Sequence, residues 1–184
     1  MPGADLCFLA TSKSGLGHLR RLATIARKVQ DVAPARQVHL ITNARPDGLG
    51  EADVRAFATV QVLERDQMAE GVSRTGAGVV VLDTMTAPRV EALGLPLALV
   101  LREAPDAALR RFRLPGDRPW DLVVVANPEA HWMPDTAALA ACSVAQVGWI
   151  YRPTGPRKQA PAPLPQVLVA TGGGGTAETT PVLY

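Results

Sequence analysis

Short, almost continuous apolar runs recur along the chain, and this feature constrains its fold more than any other. Examples are LCFLA at Leu6–Ala10, GVVVL at 78–82 and LVVVA at 122–126. A strand with one face in water alternates apolar and polar residues, whereas a strand covered on both faces is apolar throughout. The runs therefore predict a parallel sheet with helices packed on both of its faces.

Helix-like segments separate these runs in a regular order. Predicted strands span 6–10, 37–42, 60–63, 78–82, 97–101 and 122–126, and predicted helices span 19–32, 51–57, 88–93 and 107–112. The first helix shows apolar residues at helical spacing. Strands and helices that alternate through short connections indicate an α/β fold, here a Rossmann-like, doubly wound, mostly parallel sheet flanked by helices.

Length and charge exclude several classes of protein. The 184 residues suffice for one core of ordinary domain size, and 47% hydrophobic with 20% charged residues is typical of a soluble globular protein. A net charge of +2 and scattered tryptophans argue against a nucleic-acid partner. No apolar run could span a bilayer, and the early first strand leaves no room for a signal peptide. We expect a cytoplasmic protein and leave peripheral membrane contact and a homodimer open.

The cysteines and one histidine are assigned to the core. Cys7 lies in the first predicted strand and Cys142 in an alanine-rich stretch, so both are expected to be small buried hydrophobic residues in a reducing compartment. No Cys/His spacing matches a zinc site, and no metal is expected. His39 lies inside a predicted strand and is expected to be a hydrogen-bonded core histidine.

The composition changes after residue 150, which predicts a domain boundary. Residues 151–165 (YRPTGPRKQAPAPLP) are rich in proline and have no apolar period, as in a stiff linker. Residues 166–170 (QVLVA) are predicted to form a new strand, and a glycine run follows. We therefore expect a domain at 1–150, a linker at 151–165 and the start of a truncated second Rossmann-like domain at 166–184.

The loop between the first strand and the first helix carries the strongest chemical signal. Gly15 and Gly17 permit a tight turn and close approach of a ligand near a helix N-terminus. His18 can act as a base near neutral pH, and Arg20 and Arg21 can meet an anion. Because Arg20 stands where the dinucleotide motif has its third glycine, and no Walker lysine follows, NAD and P-loop sites are disfavoured. A tight turn with a surface histidine is the simpler alternative.

Other polar residues follow predicted strands, where ligands of such sheets bind. Asp83 ends one strand, and Arg102 and Glu103 follow the next. His131 comes shortly after a later strand and could line the same cleft. An Asx turn or helix cap would equally explain Asp83, and a local ion pair would explain Arg102 and Glu103.

Several of these segments together resemble a known family. The GLGHLRR loop at 15–21, VVLD at 80–83, LRE at 101–103, VGWI at 147–150 and VLVATGGGG at 167–175 are similar to GT-B glycosyltransferases related to the MurG-like family 28. The resemblance covers essentially the whole chain but only the N-terminal half of the family's length. Ser12, Lys13 and Ser14 depart from it, because related loops often carry more glycine there.

The resemblance implies two Rossmann-like domains facing each other across a cleft, with an acceptor site on the N-terminal domain. The C-terminal domain would bind a nucleotide-sugar, often a UDP-sugar, without a metal or other cofactor. By position, His18 would be the general base. The cleft or acceptor residues would be Gly15, Gly17, Arg20, Asp83, Arg102, Glu103 and His131. The donor diphosphate would meet Gly172, Gly173, Gly174, Gly175 and Thr176.

The implied activity is transfer of a sugar from a nucleotide-sugar donor to an unknown acceptor, and this chain alone is expected to be inactive because the donor half is missing. A nucleotide-sugar hydrolase of similar fold, with water as the acceptor, is one alternative. A non-catalytic nucleotide-sugar-binding domain is another. Sugar-nucleotide 2-epimerases share the fold, but their extra acidic residues are not evident.

Overall fold

The computed structural model describes residues 4–12 and 16–151. Within this part of the chain, seven parallel strands form one sheet in the order β3-β2-β1-β4-β5-β6-β7. The strands are β1 (Leu6–Ala10), β2 (Val38–Thr42), β3 (Thr59–Val62), β4 (Val79–Asp83), β5 (Leu97–Leu101), β6 (Leu122–Val125) and β7 (Val144–Gln146). The α-helices are α1 (Gly17–Val32), α2 (Glu51–Val54), α3 (Met68–Thr75), α4 (Asp106–Leu109) and α5 (Thr136–Leu139). The predicted doubly wound α/β fold is confirmed.

Two hydrophobic clusters cover the two faces of the sheet, which explains the continuous apolar runs. In β1, Cys7 and Leu9 belong to one cluster, whereas Phe8 and Ala10 belong to the other. Helix α1 contributes Leu19, Leu22, Ala23 and Ala26 to the second cluster. Helix α3 contributes Met68, Ala69 and Val72 to the first. Both faces of β1 are therefore buried, as its sequence predicts.

The strand order reverses between β1 and β4. Strands β2 and β3 extend to one side of β1, and β4 to β7 extend to the other. The two central strands are in parallel register, with Leu9 of β1 paired to Leu82 of β4. In doubly wound sheets, ligands bind beyond the carboxyl ends of the strands at this reversal. Helix α1 begins there.

The predicted elements match the structure best where long apolar runs or a long helix mark them. Strands β1 and β5 have the predicted bounds, and α1 begins two residues earlier than predicted. Residues 51–57 and 88–93 contain only the short helix α2 and a 3₁₀ turn at Glu91–Leu93. Helices α3 and α5 and the edge strand β7 were not predicted. Residues 147–150 form no strand or helix, and Trp149 is exposed.

Gly71 explains why the sequence pattern does not predict helix α3. Helix α3 contains Gly71, which lowers its helix propensity. A Cβ atom at Gly71 would lie 2.6 Å from Cδ1 of Leu63 and 2.9 Å from Cδ1 of Ile41. Gly71 therefore allows α3 to lie close against the sheet, at the expense of a clear helical signal.

Of the two cysteines expected to be buried, one is buried and the other is exposed. Cys7 is buried, and its burial raises the pKa of the thiol to about 12. Cys142 is exposed, because it follows the bridge between Trp120 and Ala141 at the edge of the sheet rather than lying inside a helix. His39 is buried in β2, as predicted, with Nδ1 2.9 Å from Oγ1 of Thr59. Its Nε2 atom has no partner among the described residues.

The predicted linker and second domain lie outside the described residues, except for Tyr151, which is exposed. The same holds for Gly15 and for the glycine run of 172–175. No helix among the described residues is long and apolar enough to cross a membrane.

Candidate functional site

His18 and Asp83 meet at the point where the strand order reverses. His18 lies in the first turn of α1, and Asp83 is the last residue of β4. Side chains alternate along a strand, so Asp83 lies on the same face as Val81, which packs against the cluster that contains α1. Nδ1 of His18 lies 3.1 Å from Oδ1 of Asp83. The His18 side chain is 31% exposed and that of Asp83 is fully buried.

Arg21 holds the Asp83 carboxylate from one helical turn further along α1. Its Nε donates a hydrogen bond of 2.8 Å to Oδ2 of Asp83, and its Nη2 donates to Oδ1. Such a two-point contact between a guanidinium and a carboxylate fixes the plane of the carboxylate. The Arg21 side chain is only 14% exposed, so water screens this ion pair weakly.

Thr84 completes the contacts of Asp83 at the end of β4. Its hydroxyl donates a hydrogen bond of 2.9 Å to Oδ1 of Asp83, and its backbone N–H donates to the carbonyl oxygen of Val100 at 2.8 Å. The φ of Thr84 is +52°, a left-handed conformation that threonine rarely adopts. The backbone therefore turns sharply directly after Asp83, at the mouth of the site.

The surroundings of Asp83 keep its carboxylate ionised. Burial alone would raise the pKa of Asp83, but hydrogen bonds from His18 and Arg21, together with the charge of Arg21, lower it below its ordinary value. An ionised carboxylate only accepts hydrogen bonds. The neighbouring groups must therefore present protons to it.

The ionised carboxylate selects one tautomer of His18. Nδ1 lies 3.1 Å from Oδ1 of Asp83 and also 3.1 Å from Nη2 of Arg21, and it can be donor or acceptor but not both. A lone pair on Nδ1 would face the negative oxygen, so we assign the proton to Nδ1, which donates to Asp83. In the neutral ring, Nε2 then keeps the lone pair and can accept a proton.

Two cavities open beside this cluster, and Arg21 lines both. The Trp149 cavity has a volume of about 370 Å³ and is lined by Arg21, Arg102, Glu103, Ala126, Asn127, Trp149 and Ile150. The Arg20 cavity has a volume of about 530 Å³ and is lined by Gly17, Arg20, Arg21, Thr24, Gly50, Asp53, Ile150 and Tyr151. A small molecule in either cavity would lie next to Arg21, which contacts both His18 and Asp83.

The polar residues after β5 and β6 form a second cluster at the rim of the Trp149 cavity. Oε2 of Glu103 lies 3.0 Å from Nε2 of His131, and the His131 ring lies against Trp149 with 5.2 Å between the ring centroids. Oδ1 of the buried Asn127 accepts the backbone N–H of Glu103 at 2.9 Å. The Glu103 carboxylate therefore contacts His131, and the structure shows no ion pair between Glu103 and Arg102, the alternative that the sequence left open.

The structure brings together most of the residues that the sequence singled out. His18 and Asp83 are in contact, Gly17 and Arg20 line one cavity, and Arg102 and Glu103 line the other. His131 packs on the wall of the Trp149 cavity. Outside the described residues lie Gly15, Gly172, Gly173, Gly174, Gly175 and Thr176.

Sequence reasoning missed the particular roles of Arg21, Thr84 and Asn127. Arg21 was recognised only as part of a basic pair, although its position three residues after His18 places both on one face of a helix. Contacts that join Asn127 to Glu103 span 24 residues and leave no local signal. Within the described residues, no group of three or more His, Cys, Asp or Glu side chains is placed to hold a metal ion.

Two solved glycosyltransferase structures are similar to this chain. One is a variant of the O-GlcNAc transferase from Thermobaculum terrenum, with a TM-score of 0.50 and 16% identity, covering 82% of this chain and 29% of that one. The other is a UGT transferase from Siraitia grosvenorii in complex with UDP, with a TM-score of 0.44 and 9% identity, covering 73% of this chain and 47% of that one. No family model matches the sequence, and the search of curated proteins found no match.

The similarity to the O-GlcNAc transferase structure agrees with the fold of the chain. Its all-parallel sheet flanked by helices is like the Rossmann-type domains of GT-B glycosyltransferases. The chain spans less than half the length of one solved structure and less than a third of the other. A particular relation to the MurG-like family 28 is not among these findings.

Proposed function

We propose that the chain is the acceptor-side part of a glycosyltransferase that moves a sugar from a nucleotide-sugar to a hydroxyl group of an acceptor. The observation that carries this proposal is the 3.1 Å contact between His18 Nδ1 and Asp83 Oδ1 at the carboxyl edge of the sheet. A partly exposed histidine held by a buried carboxylate is a suitable general base. The similarity to GT-B folds supports the class of reaction.

In the proposed reaction, the acceptor hydroxyl transfers its proton to Nε2 of His18 while its oxygen attacks the anomeric carbon of the donor sugar. The bond between that carbon and the diphosphate oxygen breaks, and the nucleoside diphosphate leaves with the electron pair. His18 becomes an imidazolium, which the carboxylate of Asp83 stabilises through the Nδ1–H hydrogen bond. Asp83 stays ionised throughout.

The donor side of the proposal rests on the family resemblance. Gly172, Gly173, Gly174, Gly175 and Thr176 would approach the donor diphosphate, and a UDP-sugar is the first donor to test. Helix N-termini and backbone N–H groups would offset the charge of the leaving diphosphate without a metal ion. Because the chain spans only part of the length of the solved structures, the proposal assigns it no turnover on its own.

The test incubates the full-length natural protein with a panel of UDP- and GDP-sugars, with and without hydroxyl acceptors and in the presence of a metal chelator. We expect a glycosylated acceptor and free nucleoside diphosphate, and loss of both products in His18→Ala. Arg110→Gln, an exposed residue outside both cavities, is the matched control and should remain active.

Three results would count against this function. Release of free sugar without any acceptor would identify a hydrolase. Absence of both turnover and nucleotide binding would indicate a non-catalytic domain. Unchanged turnover in His18→Ala would show that His18 is not the general base.

A further inference from the structure

Arg102 is a cation that lines a cavity and lacks an anionic partner. It follows β5 directly, at the edge of the sheet where ligands bind, and its side chain is exposed. In the part of the chain that the structure describes, its guanidinium makes no hydrogen bond or ion pair. A guanidinium in such a position can bind a carboxylate or a phosphate through two parallel hydrogen bonds.

The other charged residues of the Trp149 cavity already have partners. The guanidinium of Arg21 is bound to the carboxylate of Asp83, and the carboxylate of Glu103 contacts His131 at 3.0 Å. Neither Arg21 nor Glu103 therefore needs a ligand. Arg102 is the charged residue of this cavity whose side chain has no partner among the described residues.

Trp149 gives the same cavity a flat apolar wall. Its side chain is 56% exposed, although large aromatic residues are usually well buried. The ring of His131 packs against it at a tilt of 58°, and Ile150 continues the apolar surface into the cavity. An aromatic ring offers its face to another flat ring by stacking. The cavity thus combines one cation with one stacking surface.

The Trp149 cavity has the size of a small-molecule site and shares Arg21 with the cluster that contains the proposed base. Its volume of about 370 Å³ is at the lower end of the range for small-ligand pockets, roughly 300–1,000 Å³. Arg21 lines the cavity and also contacts Asp83 and His18. Arg21 therefore links the cavity that Arg102 lines to His18, the proposed base.

We infer that the Trp149 cavity binds an acceptor that carries an anionic group, a carboxylate or a phosphate, attached to a flat ring. Arg102 binds the anionic group, and Trp149 stacks on the ring. That the ligand is a sugar acceptor rests on the proposed function, whereas the anion site itself rests on Arg102, Trp149 and the cavity that they line. Selection of an anionic acceptor would be a property of this site that the fold alone does not dictate.

Binding of simple probes to the 184-residue chain tests the inference without any turnover. The probes are phenyl phosphate and benzoate, with benzyl alcohol as the uncharged ring, and the signal is the indole N–H resonance of Trp149 in NMR titrations, assigned with Trp149→Phe. We expect saturable shifts with one or both anionic probes, and binding weaker by roughly tenfold or more for benzyl alcohol and for Arg102→Gln. The stronger anionic probe distinguishes a carboxylate from a phosphate.

Arg102→Lys and Arg110→Gln are the matched variants. Arg102→Lys keeps the charge and should retain part of the affinity, whereas Arg110→Gln removes a charge far from the cavity and should bind as the unaltered chain does. Equal binding of benzyl alcohol, or undiminished anion binding by Arg102→Gln, would overturn the inference. Absence of any anion binding to the unaltered chain would overturn it as well.

These outcomes are distinguishable from failure of the proposed function. If the probes bind through Arg102 but the full-length protein transfers no sugar, the anion site stands and the transferase proposal fails. If the full-length protein transfers sugar but neither anionic probe binds through Arg102, the transferase stands and the anion site fails.

Discussion

Nδ1 of His18 lies 3.1 Å from Oδ1 of Asp83, although 65 residues separate them in the chain. The sheet topology creates this contact, because α1 begins at the carboxyl end of β1 and Asp83 ends the neighbouring strand β4. Arg21 then holds the carboxylate from the second turn of the same helix. The proposed base, the carboxylate that it contacts and the cation that holds this carboxylate thus come from two adjacent strand ends.

Replacing the Asp83 carboxylate should destabilise the fold. Asp83→Asn removes the buried charge that Arg21 faces and leaves the guanidinium, only 14% exposed, without its counter-ion. Because the amide still accepts hydrogen bonds, we expect a loss of about 1–3 kcal/mol in the free energy of unfolding, less than for a fully buried broken pair. Urea unfolding monitored by circular dichroism at pH 7 measures this loss.

Asp117→Asn is the matched control for that substitution. Asp117 pairs with Arg113 at 3.9 Å, but its side chain is 89% exposed, so its loss should change the unfolding free energy by less than about 1 kcal/mol. Equal effects of the two substitutions would contradict a structural role for the Arg21–Asp83 pair.

The stabilisation from Asp83 should depend on pH in one direction. Its pKa in the folded protein is below the ordinary value of 3.8, so the unfolded chain binds the proton more readily. The stability that Asp83 provides is then complete well above pH 3.8 and is lost as the pH falls below 3.8 through the pKa of the folded state. Urea unfolding of the unaltered chain and of Asp83→Asn, repeated from pH 7 to pH 2.5, should give a difference that shrinks with acid. A difference that grew toward low pH would show the opposite shift.

Alanine at two glycine positions should have opposite effects. Gly71→Ala places a Cβ atom 2.6 Å from Cδ1 of Leu63 and 2.9 Å from Cδ1 of Ile41, so the ends of both side chains must shift, and we expect a loss of up to about 1 kcal/mol. Gly17→Ala, in α1, meets no atom within 4 Å and should be neutral or stabilising by up to about 1 kcal/mol. Thermal and urea unfolding of both variants measure the difference. A Gly71→Ala protein as stable as Gly17→Ala, or more so, would contradict the expected difference between the two positions.

Much of the fold could be predicted because its information is local. The apolar runs of β1 and β5 and the amphipathic pattern of α1 each specify an element without reference to the rest of the chain. Helix α3 and strand β7 could not be predicted in this way. Gly71 weakens the helical signal of α3, and β7 is a three-residue edge strand whose residues are exposed or only partly buried.

The sequence predicts which strand ends carry the residues of the candidate site, but it does not predict which of their side chains contact each other. Position alone placed His18, Asp83 and Arg102 at one edge of the sheet. Side-chain geometry, which the sequence does not carry, decides the pairing: a local pair of Arg102 with Glu103 was one open alternative, and Glu103 contacts His131. Burial of Cys142 was inferred from its alanine-rich neighbourhood, and its position at the sheet edge overrides that local signal.

A double-mutant cycle on turnover tests most directly whether Asp83 orients His18 as the base. It measures kcat/KM of the full-length natural protein for His18→Ala, Asp83→Asn and both together, at a temperature where all variants are folded. If Asp83 acts through His18, His18→Ala should lose roughly 10²- to 10⁴-fold, Asp83→Asn should lose less, and the double variant should be no slower than His18→Ala alone. Full activity in His18→Ala, or losses that multiply in the double variant, would contradict a base oriented by Asp83.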